Sequence, residues 1–454
     1  MLGLAISKGL RFIGVVLCIR YVGNYTWGQT TSTIAIFSFL TFFIDQGLGS
    51  APLLFHLQNR AADKRLLLLL SLYRVSMAFL FIAVLYITHS FIHSLDRLIL
   101  IYSFVLIPRA LSVDWWFLRR ELYQITLYIG SVRTLLFFFL VLLFVRHAVR
   151  AETIIYIEMA SESVSVAFGY LLLGLGRPAV ATGTSPQFGI QDLLKFSSPF
   201  LIIGLLSTVQ ASMDVVFLKF FRGNEMVAQY DIGTKIGFLY FFIGATIIQI
   251  IRPKLTRLYL DKDIKRMGVI LRTTSAILLL LSSILLMPSL YFPSELIGLF
   301  FNKNQELTVF VFRWVALWVS ISFMTMLCSD TLLSLGKRRD YVRAAWICAV
   351  GNISANLILL KLFSGYGAIF AKIISEAIFL CVSLLWLPRE IRKEISSSLF
   401  LQLVFFGVFI GLYSFSFLFG HRLVWFSLSL TGCLAIVFFG KVFTRETLAV
   451  LRDN

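Results

Sequence analysis

Residues 66–88 read LLLLLSLYRVSMAFLFIAVLYIT, an apolar run in which Arg74 is the only charged side chain. A helix needs about 20 apolar residues to cross the hydrocarbon core of a membrane, and this run is long enough. The sequence therefore predicts a membrane-spanning helix at this position.

The same kind of stretch recurs along the whole chain. Of its 454 residues 59% are hydrophobic and only 14% are charged, whereas soluble domains carry about 25% charged residues. Fourteen spans leave no room for a soluble catalytic domain, so we expect an all-α polytopic membrane protein. The thirteen further stretches lie at 2–22, 30–54, 98–118, 123–145, 153–175, 197–218, 230–251, 268–290, 308–334, 342–360, 367–387, 399–419 and 423–443.

The basic residues indicate how the chain is oriented. It has 41 Lys and Arg against 23 Asp and Glu, a formal charge of +18. With a cytoplasmic N-terminus the inside loops hold 23 of the basic residues and the outside loops hold 9, as the positive-inside rule requires. Both termini are therefore predicted to be cytoplasmic. The excess charge is explained by topology and membrane lipids, and no nucleic-acid partner is expected.

A short internal repeat suggests two related halves. Residues 23–29 (GNYTWGQ) and 223–229 (GNEMVAQ) stand 200 positions apart, each between two apolar stretches. Two six-helix blocks of equal orientation make parallel repeats, which in transporters place the substrate site between them; chance similarity of short turns is the alternative. The predicted parts are an N-terminal six-helix lobe (1–178), an inter-lobe linker (179–189), a C-terminal six-helix lobe (190–388) and an appended helix pair with a cytoplasmic tail (389–454).

Several short motifs follow one another in a recognisable order. They are Arg20-Tyr21-Val22-Gly23, Trp27-Gly28, Gly47-Leu48, Asp114-Trp115-Trp116-Phe117, Ser198-Pro199, Asp214, Tyr230, Pro253, Gly336-Lys337, Asn352, Asn356, Gly365-Tyr366-Gly367-Ala368 and Ser375-Glu376. In this order the chain resembles the Wzx-type flippases of bacterial polysaccharide assembly, in the multidrug/oligosaccharidyl-lipid/polysaccharide superfamily. It departs from their pattern at Ala228, where a Gly is common.

The resemblance implies a function in lipopolysaccharide or other polysaccharide biosynthesis. A flippase of this kind carries polyprenyl-diphosphate-linked oligosaccharides from the inner to the outer leaflet of the bacterial inner membrane. The implied partners are the lipid-linked oligosaccharide and membrane lipids, with polysaccharide polymerase machinery as a further candidate. A proton or a sodium ion is the candidate coupling ion.

Ionisable residues inside the predicted spans are the first site candidates, because each costs at least about 2.5 kcal/mol to insert. Lys8 and Arg11 lie three positions apart and too deep to be helix caps. They are predicted to line a hydrated cavity and bind an anionic headgroup; the alternative is that they snorkel to the surface. Lys235 is the third headgroup candidate, although its spacing from Asp231 also fits a structural ion pair.

Polar stripes on the second and seventh helices supply the cavity and ion-coupling candidates. Asp45 and Asp214 are expected either to neutralise Lys8 and Arg11 or to bind a coupling cation. Small polar side chains in membranes also simply join helices by hydrogen bonds, and this reading stays open. The stripes consist of Thr31, Ser38, Thr41 and Asp45, and of Ser207, Gln210 and Asp214.

Two further sets of charges are weighed as structural. Glu158 and Glu162 lie four positions apart and should repel unless a cation intervenes, so Arg133 is the predicted partner and proton coupling the alternative. Lys372 and Glu376 have the spacing of an ion pair within one helix. The spans also contain Arg74 and Arg109, which the sequence leaves without a role.

Other function classes find little support. The chain has no GxxxxGK[ST] or HExxH pattern, and its five cysteines lie in apolar stretches without a CxxC pair. We therefore expect no enzyme, no metal and no cofactor. The alternatives kept open are an ion-coupled multidrug antiporter of the same superfamily, which prefers a negative cleft, and a membrane-embedded polysaccharide-assembly enzyme.

Overall fold

The computed structural model describes residues 2–45, 63–91, 96–119, 122–146, 149–175, 190–303 and 305–396, with eight isolated positions between 407 and 431. Within these residues every regular element is a helix. The predicted linker at 179–189 and most of the predicted last two helices lie outside the described residues.

The chain divides into two compact units, Met1–Ala228 and Gln229–Asn454. This division groups the helix after the predicted linker with the first unit, and the lobe boundaries given by the sequence stay a prediction. The helices of the first unit are α1 (Leu2–Tyr21), α2 (Asn24–Asp45), α3 (Asp63–Phe91), α4 (Arg97–Ser103), α5 (Leu106–Ala110), α6 (Asp114–Arg119), α7 (Tyr123–Phe144), α8 (Ala151–Leu175) and α9 (Ile190–Arg222).

The second unit contains longer helices. Its first, α10 (Asn224–Leu260), starts at the end of the first unit and continues for 37 residues through Pro253. The short helix α12 lies between the spans predicted at 268–290 and 308–334. The remaining helices are α11 (Ile264–Tyr291), α12 (Pro293–Phe301), α13 (Glu306–Ser334), α14 (Arg338–Phe363) and α15 (Gly365–Trp386).

Ten segments of the described chain are long and apolar enough to cross a membrane. The all-α polytopic fold class is therefore confirmed, and the protein is a multi-pass membrane protein. Most helices extend a few residues beyond their apolar stretches, because the ends of a span lie in the polar headgroup region.

The fourth predicted span is not one continuous helix. It is divided into α4, α5 and α6, with breaks after Ser103 and after Ala110. Pro108 has no N–H to donate to the carbonyl of Phe104, four residues earlier, which weakens a helix at this point. The span predicted at 98–118 is present at Arg97–Leu118, and its breaks leave backbone carbonyls in need of donors.

The repeat in the sequence coincides with matching helix starts. Helix α2 begins at Asn24 and α10 at Asn224, each directly after a turn that contains Gly. Gly223 adopts a φ of +85°, which glycine allows without strain. Helix α3 begins at Asp63, and Asp263 accepts a hydrogen bond from the Arg266 N–H at the start of α11.

Close packing joins the helices that carry the charged residues of the first unit. Helix α1 packs on α7, α7 on α8, and α2 on α9. Gly28 of α2 approaches the carbonyl of Asn224 so closely that any side chain would collide with it, and Gly204 of α9 lies against Phe42. These contacts fix α2 against α9, and they fix α7 against α1 and α8.

Candidate functional site

A buried carboxylate in α8 joins two arginines from neighbouring helices. Glu158 Oε2 lies 2.6 Å from Arg11 Nη2, and Oε1 lies 3.1 Å from Arg133 Nη2. The Arg11 guanidinium also lies 3.7 Å from the ring centroid of Phe137, within cation–π distance. Glu158 is 3% exposed, so α1, α7 and α8 meet at one carboxylate.

Glu162 extends this cluster by one helical turn. Its Oε2 lies 2.6 Å from Arg133 Nη2, so Arg133 pairs with both carboxylates of α8. The predicted Arg133–Glu158–Glu162 cluster is confirmed. The like charges of α8 are tolerated because a guanidinium lies between them.

Arg74 of α3 donates hydrogen bonds to backbone carbonyls of the interrupted fourth span. Its Nη2 lies 2.8 Å from Asp45 Oδ1, and its guanidinium donates to the carbonyls of Arg109 (3.2 Å) and Ser112 (3.1 Å). The Arg109 carbonyl belongs to the last turn of α5, and the Ser112 carbonyl lies in the break between α5 and α6. A planar guanidinium with five donors suits several acceptors at once.

Arg109 of α5 has neutral partners. It donates to the hydroxyl of Thr41 at 2.8 Å and to that of Tyr102 at 3.3 Å. Among the residues that the structure describes, no carboxylate lies within ion-pair distance of it. Its positive charge is therefore held in place without being neutralised by direct contact.

These charges surround a cavity of about 300 Å³ in the first unit. Three arginines and two carboxylates contribute to its wall, which leaves one excess positive charge. A cavity of this size is at the lower end of the range for small-ligand sites. The lining residues are Thr41, Phe42, Asp45, Arg74, Arg109, Ser112, Arg133 and Glu162.

The two headgroup candidates of α1 differ from the expectation of a freely available pair. Arg11 is paired with Glu158, and 31% of its side chain is exposed. Lys8 lies on the same helix and is exposed. Their role in headgroup binding stays a prediction, but Arg11 brings a carboxylate partner with it, which reduces the charge that it offers to an anion.

The polar candidates of α2 and α9 divide between the cavity and local contacts. Thr41 and Asp45 line the cavity, and Asp45 pairs with Arg74. Ser38 donates to the Ala35 carbonyl within its own helix. Asp214 of α9 is 1% exposed, and its Oδ1 accepts from the Val215 N–H.

The coupling role proposed for these side chains, and for Gln210 on α9, stays a prediction. Lys235 lies in the second unit, where its Nζ is 2.8 Å from Asp231 Oδ1. The ion pair expected from their spacing is confirmed. A headgroup role for Lys235 also stays a prediction.

The sequence did not assign a role to Arg74 or Arg109, which contribute two of the cavity's three guanidinium groups. The signal that could have found them is Pro108 inside an apolar stretch, because interrupted spans often mark binding sites in transporters. Helical periodicity gives the face of a residue but not the helix that it meets.

Across the described residues, no group of three or more His, Cys, Asp or Glu is arranged to hold a metal ion.

Solved structures of membrane transport proteins share the fold of this chain. A lipid II flippase MurJ, in an inward closed conformation, matches with a TM-score of 0.70 at 15% identity, over 98% of this chain and 99% of that chain. An inward-facing multidrug resistance MATE family transporter of the MOP superfamily matches with 0.66 at 14% identity, over 86% and 94%. A MOP superfamily transporter from Pyrococcus furiosus matches with 0.57 at 13% identity, over 87% and 94%. The fold is that of the MOP superfamily of flippases and transporters.

The sequence itself places the chain more closely. The profile of the family described as polysaccharide biosynthesis protein matches residues 1–258, more than half of the chain. The chain belongs to this family, and the resemblance to the polysaccharide branch of the superfamily is confirmed. No curated protein sequence matches this chain.

Proposed function

We propose that the protein is a flippase that moves polyprenyl-diphosphate-linked oligosaccharides from the inner to the outer leaflet of the bacterial inner membrane. The observation that carries the proposal is the guanidinium-lined cavity, and above all Arg109, whose charge is held by two hydroxyl groups. An anion that enters this cavity meets a fixed cation and does not have to displace a carboxylate from it.

The chemistry of a diphosphate fits such a wall. Guanidinium groups bind phosphate oxygens through paired, charge-assisted hydrogen bonds. Because a low-dielectric barrier penalises an unpaired anion by several kcal/mol or more, fixed cations and cavity water must replace bulk solvent during crossing. Family membership and the transporter fold agree with a substrate from polysaccharide assembly.

The proposed path is alternating access. The diphosphate and glycan enter from the cytoplasmic leaflet, contact Lys8, Arg11 and the cavity arginines, and leave on the other side, while the polyprenyl tail stays in lipid. Lys235 is a further contact in this scheme, and both termini face the cytoplasm. A proton or a sodium ion is the proposed driving ion, and polymerase machinery the proposed acceptor of the product.

Arg109→Gln tests the proposal. The substitution removes one positive charge and keeps a side chain that hydrogen-bonds, so we expect glycan export to fall about tenfold, as for a lost charge-assisted hydrogen bond. Lipid-linked oligosaccharide should accumulate on the inner leaflet at unchanged protein level. Arg97→Gln is the matched control, because it removes an exposed arginine from α4 outside the cavity.

Normal export by Arg109→Gln at normal protein level would rule out the proposed role of the cavity. The second candidate is an ion-coupled antiporter of cationic compounds, for which Asp45 and Glu162 are the acidic residues of the cavity wall. Efflux of a cationic dye that Arg109→Gln increases, together with unchanged glycan export, would favour that candidate.

A further inference from the structure

In the second unit, aromatic rings enclose one buried amine. Lys372 of α15 is 2% exposed. Its Nζ lies 5.0 Å from the ring centroid of Trp318 in α13 and 5.7 Å from that of Phe238 in α10. Both distances fall within the range over which the face of an aromatic ring attracts a cation.

The rings are held in position by each other. Phe241 stacks on Trp318 with centroids 5.4 Å apart and planes inclined by 7°. Phe238 meets Trp318 edge-on, also at 5.4 Å. Because these contacts do not involve Lys372, the aromatic faces keep their arrangement when that side chain is removed, and the site is preorganised.

A partly buried carboxylate lies close to this enclosure. Glu376 follows Lys372 by one turn of α15, which places both on the same helix face. Its Oε2 accepts a hydrogen bond from Trp318 Nε1 at 3.2 Å. Aromatic faces recognise ammonium ligands, and the carboxylate adds a negative charge beside them.

We propose that Phe238, Trp318 and Glu376 form a cation-binding site that the chain fills with its own Lys372. Without that side chain, the site binds a free primary alkylammonium ion such as ethylammonium, which presents the same –NH₃⁺ group and a short apolar stem. The proposal does not rest on the proposed function, because its readout is binding by the purified chain.

The reason is the cost of a vacant enclosure. A carboxylate that has lost part of its water favours a cation nearby, and ring faces attract whichever cation fits between them. In the natural chain Lys372 occupies this position permanently, so the site is closed to mobile cations. Lys372 thereby acts as the tethered cation of this enclosure.

The test uses the purified full-length chain in detergent. Lys372→Ala is titrated with ethylammonium chloride, and sodium chloride at the same ionic strength serves as the reference. Because a ligand that binds only the folded state raises Tm, we expect a saturable rise of several degrees for Lys372→Ala. The natural chain and Lys372→Met, whose uncharged side chain refills the space, should show no rise.

The double variant Lys372→Ala/Glu376→Gln identifies the carboxylate as part of the site, and it should lose most of the response. A Lys372→Ala chain that responds no more than the natural one, or a response that persists in the double variant, overturns the proposal. If Lys372→Ala does not accumulate as a monodisperse protein, ethylammonium during growth and solubilisation should recover its yield. Absence of recovery overturns the proposal equally.

Discussion

The two units stabilise charge inside the membrane-spanning helices in different ways. In the first unit Arg74 and Arg133 pair with carboxylates and also line a cavity, and 34% of the Arg133 side chain is exposed. In the second unit Lys372 is 2% exposed and lies between ring faces. One arrangement keeps charge accessible to a ligand, and the other encloses it.

The side-chain chemistry accounts for this difference. A guanidinium has five donors in a plane, so Arg133 pairs with Glu158 and Glu162 and still presents an edge to the cavity. An ammonium group is compact, and the rings of Phe238 and Trp318 cover it from two directions. Substitutions in the two regions should therefore differ both in size and in what they affect.

The largest effect is expected from Glu158→Gln. The change leaves Arg11 and Arg133 without their shared charge, and breaking a buried ion pair costs about 3 to 5 kcal/mol. We expect about 3 kcal/mol, the lower end of that range, because the side chains of both arginines are partly exposed. Unfolding of the purified protein in mixed micelles measures the loss.

Glu152→Gln is the control for this substitution, since Glu152 lies in the first turn of the same helix. It removes the same charge without touching the cluster, and we expect a change within about 0.5 kcal/mol. Equal losses of stability for Glu158→Gln and Glu152→Gln would mean that the stability of the first unit does not depend on the ion pairs of Glu158. The contrast between the two units would then disappear.

A smaller effect is expected from Arg74→Lys. Lysine keeps the charge beside Asp45 but cannot reach the carbonyls of Arg109 and Ser112 at the same time. Losing charge-assisted hydrogen bonds of this kind costs about 2 kcal/mol. Hydrogen exchange should accelerate across residues 104–114, where the fourth span is interrupted.

Arg97→Lys provides the comparison for Arg74→Lys, because Arg97 is the exposed first residue of α4. It should leave both stability and the exchange rates of residues 104–114 unchanged. Unaltered exchange in Arg74→Lys would show that the break is stable without the guanidinium. The carbonyls of Arg109 and Ser112 would then have to be satisfied by water from the cavity.

The sequence predicted where helices lie more successfully than where charges meet. Apolar length alone placed α7 and α13 within two residues at each end, because the hydrocarbon thickness of a membrane sets the length of a span. Spacing along one helix also predicted the Asp231–Lys235 pair. Contacts within a helix depend only on its geometry, which the sequence carries directly.

Contacts between helices were harder to predict. The Arg133–Glu158–Glu162 cluster was found because two like charges demand a cation nearby. Arg74 gives no such signal, since its partners include backbone carbonyls that become available only when the fourth span is broken. Arg109 likewise depends on a hydroxyl of another helix, and no periodicity in the sequence indicates which helix that is.

The smallest effect is expected from loss of the Trp318–Glu376 hydrogen bond, and Trp318→Phe tests it in the enclosed region. The substitution keeps an aromatic face over Lys372 but removes the Nε1–H that donates to Glu376, and the net contribution of one such hydrogen bond is about 1 kcal/mol. The smaller ring adds its own packing loss. Trp314→Phe, in the same helix and packed against Phe370, measures that packing loss separately.

A double-mutant cycle with Glu376→Gln isolates the hydrogen bond itself, and we expect a coupling energy of about 1 kcal/mol in stability. The cycle also decides what kind of enclosure Lys372 occupies. A coupling near zero would mean that Glu376 is stabilised mainly by the amine, and the ring would then contribute only its face. A coupling of the expected size means that Trp318 binds the cation with its face and the carboxylate with its edge, so that one indole holds both charges of the enclosed region.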